Sequence, residues 1–181
     1  MPAAALQLGV VLIGHGAPAT DCPPRLVGEL MSLEWRDHNG GHSHAHGSHS
    51  RAAELDAEIR NWPRHAGNDP YKAGLERVAQ ALRPLLPTPL LAVGYNEFCR
   101  PSIAEAVAQV INEGAARVLV LPTMLTPGGV HSERDIPRVL DAVRAAHPAV
   151  PIEYLWPFDL HAIATLLAEH VQQAAAQRSV S

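Results

Sequence analysis

Two short segments that lie far apart in the chain each place a histidine shortly after an apolar run. His15 follows the run that ends at Ile13, and His131 follows the run that ends at Leu121 and a pair of glycines. Histidine binds divalent transition metals and also exchanges protons near neutral pH. Because ligands of an open parallel sheet bind at the carboxyl ends of its strands, this placement predicts that both side chains share a metal-binding cleft.

A carboxylate is expected at the same edge. Glu97 follows another apolar run, at 90–93, within the segment Gly94-Tyr95-Asn96-Glu97-Phe98-Cys99. Beside an imidazole it would accept a proton or hold a histidine in one tautomer. Each residue also has an alternative interpretation. The Glu97 carboxylate would interact favourably with the positive N-terminal end of the next helix. Either histidine would be a loop residue whose side chain is hydrogen-bonded to the backbone.

The segments between these residues predict the elements that position them. Four short runs rich in valine, leucine and isoleucine, at 8–13, 90–93, 117–121 and 152–155, read as buried strands. Segments with helical periodicity lie at 25–36, 52–61, 71–86, 101–113, 132–146 and 159–177. The alternation predicts an α/β fold, a flavodoxin-like parallel four-stranded sheet flanked by helices, in one domain over residues 1–181.

Composition limits the partners and the compartment. The 181 residues are 47% hydrophobic and carry a formal net charge of −4, which creates no broad positive field for nucleic acid or an anionic membrane surface. No apolar run reaches the roughly 20 residues of a membrane span. Cys22 and Cys99 form no CxxC pair, which fits a reducing compartment. We therefore expect a cytoplasmic protein that binds neither nucleic acid nor membrane.

One segment of low complexity, at 37–50, is rich in histidine and is predicted to be a flexible surface loop. Its spacing is unlike that of a zinc finger. One interpretation is a solvated loop without function, and the other is an accessory site that binds Ni²⁺, Co²⁺ or Zn²⁺ loosely and raises its concentration near the cleft. The four histidines concerned are His42, His44, His46 and His49.

The sequence resembles the class II metal chelatases of tetrapyrrole synthesis, and most closely the short CbiX-type sirohydrochlorin chelatases. The resemblance covers nearly the whole chain outside the histidine-rich segment. Its motifs are Gly14-His15-Gly16, Glu97 followed by Arg100-Pro101-Ser102-Ile103, Val118-Leu119-Val120-Leu121-Pro122, and Gly129-Val130-His131 leading into Asp135-Ile136-Pro137. The last of these is the most specific.

The resemblance implies a chelatase-like fold and the insertion of Co²⁺, Ni²⁺ or Fe²⁺ into a tetrapyrrole such as sirohydrochlorin. His15 and His131 would be metal ligands or bases, with Glu97 as their acidic partner. The metal would be a substrate, and no tightly bound cofactor is expected. Long family members contain two such domains around a cleft, so a homodimer is expected for this single copy.

The carboxylate arms of such a ring need hydrogen-bond donors. Backbone N–H groups in the glycine loop and at the start of the following helix are placed to bind anions, and polar side chains lie close by. The candidate substrate-binding residues are Thr126, Gly128, Gly129, Ser132 and Arg134.

Two other functions fit the same residues. A metal-delivery protein would use the histidines but release its ion to a partner protein. A tetrapyrrole carrier or sensor would bind the ring without turnover. The phosphate-binding loop, nucleophile-elbow and dinucleotide-binding motifs are missing from the sequence, so those enzyme classes are poor competitors.

Overall fold

A computed structural model describes residues 7–38 and 46–178 of the chain. Four strands form one sheet, and all neighbouring strands run parallel. The strands are β1 (Leu8–Gly14), β2 (Leu91–Tyr95), β3 (Arg117–Pro122) and β4 (Ile152–Tyr154), in the spatial order β2-β1-β3-β4. The predicted flavodoxin-like α/β fold is confirmed.

Helices connect the strands in the order expected for parallel crossovers. They are α1 (Pro24–His38), α2 (His46–Arg60), α3 (Pro70–Leu82), α4 (Ile103–Asn112), α5 (Ile136–Ala146) and α6 (Leu160–Arg178), with a short 3₁₀ helix at Arg83–Leu85. Sequence signals mark several helix ends. Ser102 and Glu105 form a capping box at the start of α4, and Asp159 accepts a hydrogen bond from the backbone N–H of Ala162 (3.0 Å) in α6.

The strand β1 is buried on both faces, as a central parallel strand should be. Val11 and Ile13 point into a core shared with α4 and α5, whereas Val10 and Leu12 point into a core on the opposite face with α3. Because side chains alternate along a strand, six consecutive buried residues require cover on both sides. This double burial makes β1 the axis of the fold.

A third apolar cluster joins α1 to α2 and includes a residue of the loop after β2. Leu30 of α1 packs with Leu55 and Ile59 of α2 and with Phe98, and all of these are buried. The two helices pack against each other and, through Phe98, against the loop that carries Glu97.

Helix extends into both ends of the segment at 37–50 that the sequence predicts as a loop. Residues 37 and 38 end α1, and residues 46 to 50 begin α2. The packing of α1 against α2 through buried leucine and isoleucine favours helix beyond the range that local composition predicts. His42 and His44 lie outside the described residues, as do the side chains of His46 and His49.

Within the described ranges, no helix is both long enough and apolar enough to cross a membrane.

Two leucines, one buried and one exposed, provide a matched test of the packing between α1 and α2. Leu55 is fully buried, whereas Leu85 is 79% exposed. We expect Leu55→Ala to lower the free energy of unfolding by about 2 to 5 kcal/mol because it leaves a cavity. The control Leu85→Ala should change it by less than about 0.5 kcal/mol. Urea denaturation followed by circular dichroism measures both, and equal effects would contradict this packing.

Candidate metal centre

Hydrogen bonds between β1 and its neighbours continue past the ends of the strands. The backbone N–H of Glu97 donates to the carbonyl of His15 (2.8 Å), and that of Thr123 donates to the carbonyl of Ile13 (2.8 Å). The loops after β1, β2 and β3 therefore leave the sheet at one edge. This pairing fixes His15 and Glu97 side by side.

Gly16 allows the first two loops to approach closely. Its φ is +93°, a backbone conformation that side chains with a Cβ rarely adopt. A Cβ at this position would also lie well inside contact distance of the Glu97 carbonyl oxygen. Glycine is therefore required at position 16, both because of its backbone conformation and because the Glu97 carbonyl leaves no space for a Cβ.

His131 begins a five-residue π-helical turn, His131–Asp135, that leads directly into α5. Such turns are uncommon and occur frequently at functional sites. The hydroxyl of Tyr154 donates to the carbonyl of Ser132 (3.2 Å) within the turn. Because burial raises the pKa of Tyr154 to about 12, its phenol stays protonated at neutral pH and remains a donor.

The three predicted residues come together in one cluster. His15 Nε2 lies 3.1 Å from His131 Nε2 and 3.8 Å from Glu97 Oε2. Glu97 Oε1 lies 3.4 Å from His131 Nδ1. One ligand atom from each residue lies within 4.8 Å of the others, and no other group of this kind occurs among the described residues. All three side chains are partly exposed, so an ion can reach them.

Hydrogen bonds at Nδ1 orient both imidazoles. Nδ1 of His15 lies 2.8 Å from the carbonyl of Gly16, and Nδ1 of His131 lies 2.8 Å from Oδ2 of Asp135. A carbonyl and a carboxylate only accept hydrogen bonds, so each Nδ1 carries the proton. In the neutral rings, both Nε2 lone pairs therefore face each other.

Two facing lone pairs 3.1 Å apart need a positive charge between them. A shared proton or a cation meets that need. Imidazole nitrogens about 2.0 to 2.1 Å from one zinc-like ion would lie about 3 Å apart, which agrees with the observed distance. The pair can therefore exchange a proton for a divalent ion without large movement of either ring.

Two residues of this centre were not predicted from the sequence. Asp135 orients His131, and the Asn96 side-chain amide lies 3.1 Å from the same ring nitrogen. The spacing of Asp135, four residues after His131, was a usable signal because such residues lie on one side of a helical turn. Asn96 precedes Glu97 directly but carried no signal of its own.

Two arginines, Arg60 at the end of α2 and Arg64 shortly after it, hold the loops that carry the centre. Arg60 donates to the carbonyls of Asn96 (2.8 Å) and Cys99 (2.9 Å). Arg64 donates to the carbonyls of Ala17 (2.9 Å) and Phe98 (2.6 Å).

Arg64 also forms an ion pair with Asp69, and both side chains are buried. Breaking a buried pair of this kind leaves an uncompensated charge. The loops after β1 and β2 are therefore held by charged donors as well as by backbone pairing.

The candidate substrate-binding residues lie in the loop before His131 and in its π-helical turn. Thr126, Gly129 and Arg134 are exposed. The N–H of Gly128 donates to Glu133 Oε1 (3.1 Å), and Ser132 is 1% exposed. Gly128 is exposed as well, but its N–H is already bonded, and only Ser132 of the five is buried.

The two cysteines are buried and free. Burial raises the pKa of both Cys22 and Cys99, so both thiols remain protonated at neutral pH. Because the thiolate is the form that binds metal, neither is suited to the metal centre.

A cavity of about 470 Å³ adjoins the cluster between the helix pair and α5. Glu97 and Asp135 line it on the metal side, and Arg60 and Arg138 are the cations in its wall. Its volume falls within the ordinary range of ligand pockets, about 300 to 1,000 Å³.

Residues 67–174 match the model of the CbiX protein family. This range includes Glu97, His131 and Asp135 but begins after His15, so the assignment of His15 to the centre rests on its position in the structure.

Named relatives match in sequence. A sirohydrochlorin cobaltochelatase of Methanocaldococcus jannaschii is 36% identical over 84 residues, which cover 46% of this chain and 58% of the relative. One from Methanococcus maripaludis is 45% identical over 51 residues, covering 28% of this chain and 35% of the relative. The matched stretches thus span less than two thirds of these relatives' own length.

The fold matches a crystal structure from Marinobacter aquaeolei VT8, which carries a provisional assignment as a CbiX protein of cobalamin (vitamin B12) biosynthesis. The TM-score is 0.55 with 17% sequence identity, over 96% of this chain and 98% of that chain. At this identity the likeness concerns the fold alone.

The close approach at Gly16 gives a direct test of the loop geometry. We expect Gly16→Ala to lower the free energy of unfolding by about 1 to 3 kcal/mol, because the backbone conformation becomes strained, and to weaken Co²⁺ binding. The control Gly28→Ala lies in α1 with open space around it and should leave binding unchanged. Urea denaturation and isothermal titration calorimetry provide the readouts. Wild-type Co²⁺ affinity in Gly16→Ala would contradict the proposed centre.

Proposed function

The chain belongs to the CbiX family, and we propose that it inserts a divalent metal ion, Co²⁺, Ni²⁺ or Fe²⁺, into a sirohydrochlorin-type tetrapyrrole. The observation that carries this proposal is the meeting of the His15 and His131 Nε2 atoms at 3.1 Å beside Glu97. Relatives that bear the name sirohydrochlorin cobaltochelatase support the choice of ring and reaction.

The ligand set suits an ion that must leave again. His15, His131 and Glu97 supply three ligand atoms from partly exposed side chains. A structural site closes four ligands around its ion, whereas a site with an open position keeps the ion accessible. We therefore assign the metal as a substrate and not as a tightly bound cofactor.

The reaction also requires a base. Insertion replaces two pyrrole N–H protons by one divalent ion, so the two protons must pass to the protein or to water. Once the ion has moved to the ring, the Nε2 atoms of His15 and His131 again face each other and favour a shared proton. Asp135 acts as a positioning residue because its hydrogen bond holds the ring proton of His131 on Nδ1 and so leaves the Nε2 of His131 unprotonated.

The ring needs donors for its carboxylate arms. We propose that the exposed residues Thr126, Gly129 and Arg134 bind these arms, together with Arg138 in the wall of the neighbouring cavity. Arg134 and Arg138 lie four residues apart and thus on one side of the helix. Gly128 and Ser132 remain part of the proposed subsite through the shape of their loop.

We further propose that the protein works in the cytoplasm as a homodimer. Two free cysteines with protonated thiols fit a reducing compartment. A second copy would supply the second half of the cleft that two-domain chelatases contain.

Metal insertion by purified protein tests the function directly. The change in sirohydrochlorin absorbance is followed with Co²⁺, Ni²⁺ or Fe²⁺ against the reaction without protein. We expect His15→Ala and His131→Ala to lower the rate by about 100-fold or more, because a positioned base is worth about 10²–10⁴. Asp135→Asn should lower rate or metal affinity by about 10- to 100-fold.

The matched control is His147→Ala, a histidine at the end of α5 away from the cluster, which should keep the wild-type rate. A wild-type rate no faster than the uncatalysed reaction would refute the chelatase. Tight Co²⁺ binding without insertion would then favour metal delivery, and ring binding without insertion would favour a carrier.

The accessory histidines are a separate proposal, in which they bind metal loosely and supply it to the centre. We expect replacement of His42, His44, His46 and His49 by serine to raise the metal concentration at half-maximal rate several-fold and to leave turnover at saturating metal unchanged. The control replaces Ser43 and Ser48 of the same segment by alanine. Turnover lost at saturating metal would contradict an accessory role.

A further inference from the structure

The carboxylate of Glu133 accepts hydrogen bonds from two N–H donors in different parts of the chain. The backbone N–H of Gly128 and the indole N–H of Trp156 both donate to Oε1 of Glu133, at 3.1 and 3.2 Å. Glu133 belongs to the π-helical turn, Gly128 to the loop before it and Trp156 to the loop after β4. Two loops that the sheet brings to one edge therefore converge on a single carboxylate oxygen.

Other contacts fix the direction of the indole donor. The Trp156 ring is stacked on Tyr154, with an interplanar angle of 22° and centroids 6.5 Å apart. It meets Phe158 edge-on, with centroids 5.9 Å apart. Such aromatic pairs favour defined geometries. The indole N–H would therefore keep its direction if a different acceptor replaced Glu133.

The two donors suit a carboxylate from any source. An N–H group binds an ionised oxygen more strongly than a neutral one, and both N–H groups here act only as donors. The contacts of the Glu133 carboxylate in the described part of the chain are with these neutral groups. Glu133 and Gly128 are exposed, and Trp156 is partly exposed. A carboxylate arriving from solvent can therefore reach the same donors.

The position of this pair of donors makes a carboxylate arm of the ring the matching ligand. Glu133 follows the proposed metal ligand His131 by only two residues. A ring centred on the metal would direct its carboxylate arms outward, toward the loops at this edge. The arm and the Glu133 carboxylate carry like charges, which disfavours their close approach. The two cannot share the donors at once.

We propose that the N–H groups of Gly128 and Trp156 form a subsite for one carboxylate arm of the tetrapyrrole, and that Glu133 occupies this subsite until the ring displaces it. The inference rests on the proposed function, because it requires a polycarboxylate ring at the metal centre. Glu133 is then an internal competitor, since a ligand binds more weakly when only a fraction of the protein has its site open. A molecule without a carboxylate at this place leaves Glu133 bound, so the subsite also selects for the ring.

Removal of the competitor tests the proposal by the sign of its effect. Isothermal titration calorimetry measures the affinity of the full chain for metal-free sirohydrochlorin. We expect Glu133→Ala to bind the ring about 3- to 10-fold more tightly than the wild type, because both donors are then free for the arm. Glu133→Gln keeps an acceptor without the charge and should lie between the two. Weaker ring binding by Glu133→Ala would show that Glu133 only shapes its loop and would overturn the proposal.

Trp156→Phe tests whether the same donor serves both carboxylates. Phenylalanine keeps an aromatic ring at this position but lacks the N–H. In the wild type the donor supports Glu133 and the arm alike, so we expect the ring affinity of Trp156→Phe to change by less than about 2-fold. In the Glu133→Ala background the donor serves only the arm, and the same substitution should weaken binding by about 3- to 10-fold. Equal effects in both backgrounds, or a larger one in the wild type, would overturn the subsite.

A charge control separates displacement from general repulsion of an anionic ring. Asp141→Asn removes one negative charge from α5 at a side chain that is 75% exposed, and it should leave the ring affinity unchanged. The gain from Glu133→Ala should also persist in salt, although the screening length falls from about 10 Å at 0.1 M to about 3 Å at 1 M. A gain that disappears at high salt, or that Asp141→Asn reproduces, would overturn the proposal.

The same measurements distinguish failure of the subsite from failure of the proposed function. A wild type that does not bind sirohydrochlorin would refute both. A wild type that binds the ring and inserts metal, together with weaker ring binding by Glu133→Ala, would overturn the subsite alone.

Discussion

The parallel pairing of β1 with both of its neighbours is the constraint on which the metal centre depends. Parallel strands release their following loops at one edge of the sheet, and β1 lies between β2 and β3. His15, Glu97 and His131 each belong to one of these three loops. The burial of β1 on both faces fixes its register, and the backbone bond from Glu97 to His15 carries that register into the loops.

The candidate centre combines two imidazoles with nearby carboxylates. Glu97 and Asp135 lie close to two imidazoles whose Nε2 atoms converge. Two carboxylates match the charge of a divalent ion, while only one of them supplies a proposed ligand atom. For the proposed transfer to a macrocycle, this arrangement would attract the ion electrostatically and leave coordination positions open.

The sequence predicts the sheet and the main residues of the centre but not their supports. Continuous apolar runs are a strong signal for buried parallel strands, so the strands and the convergence of His15 and His131 follow from them. The roles of Arg60 and Arg64 arise from hydrogen bonds to carbonyls distant in sequence, which no local pattern encodes. The helix at the ends of the histidine-rich segment likewise depends on tertiary packing between α1 and α2.

A centre at the rim of one sheet has protein on one side and solvent on the other. A macrocycle bound there would keep much of its surface in water unless another wall covered it, and water competes for both the ion and the base. An open groove of about 550 Å³ beside α3 is lined in part by Tyr71, whose hydroxyl accepts the backbone N–H of the proposed metal ligand His15. The position of the His15 loop therefore depends on the packing of α3, which carries Tyr71, against the sheet.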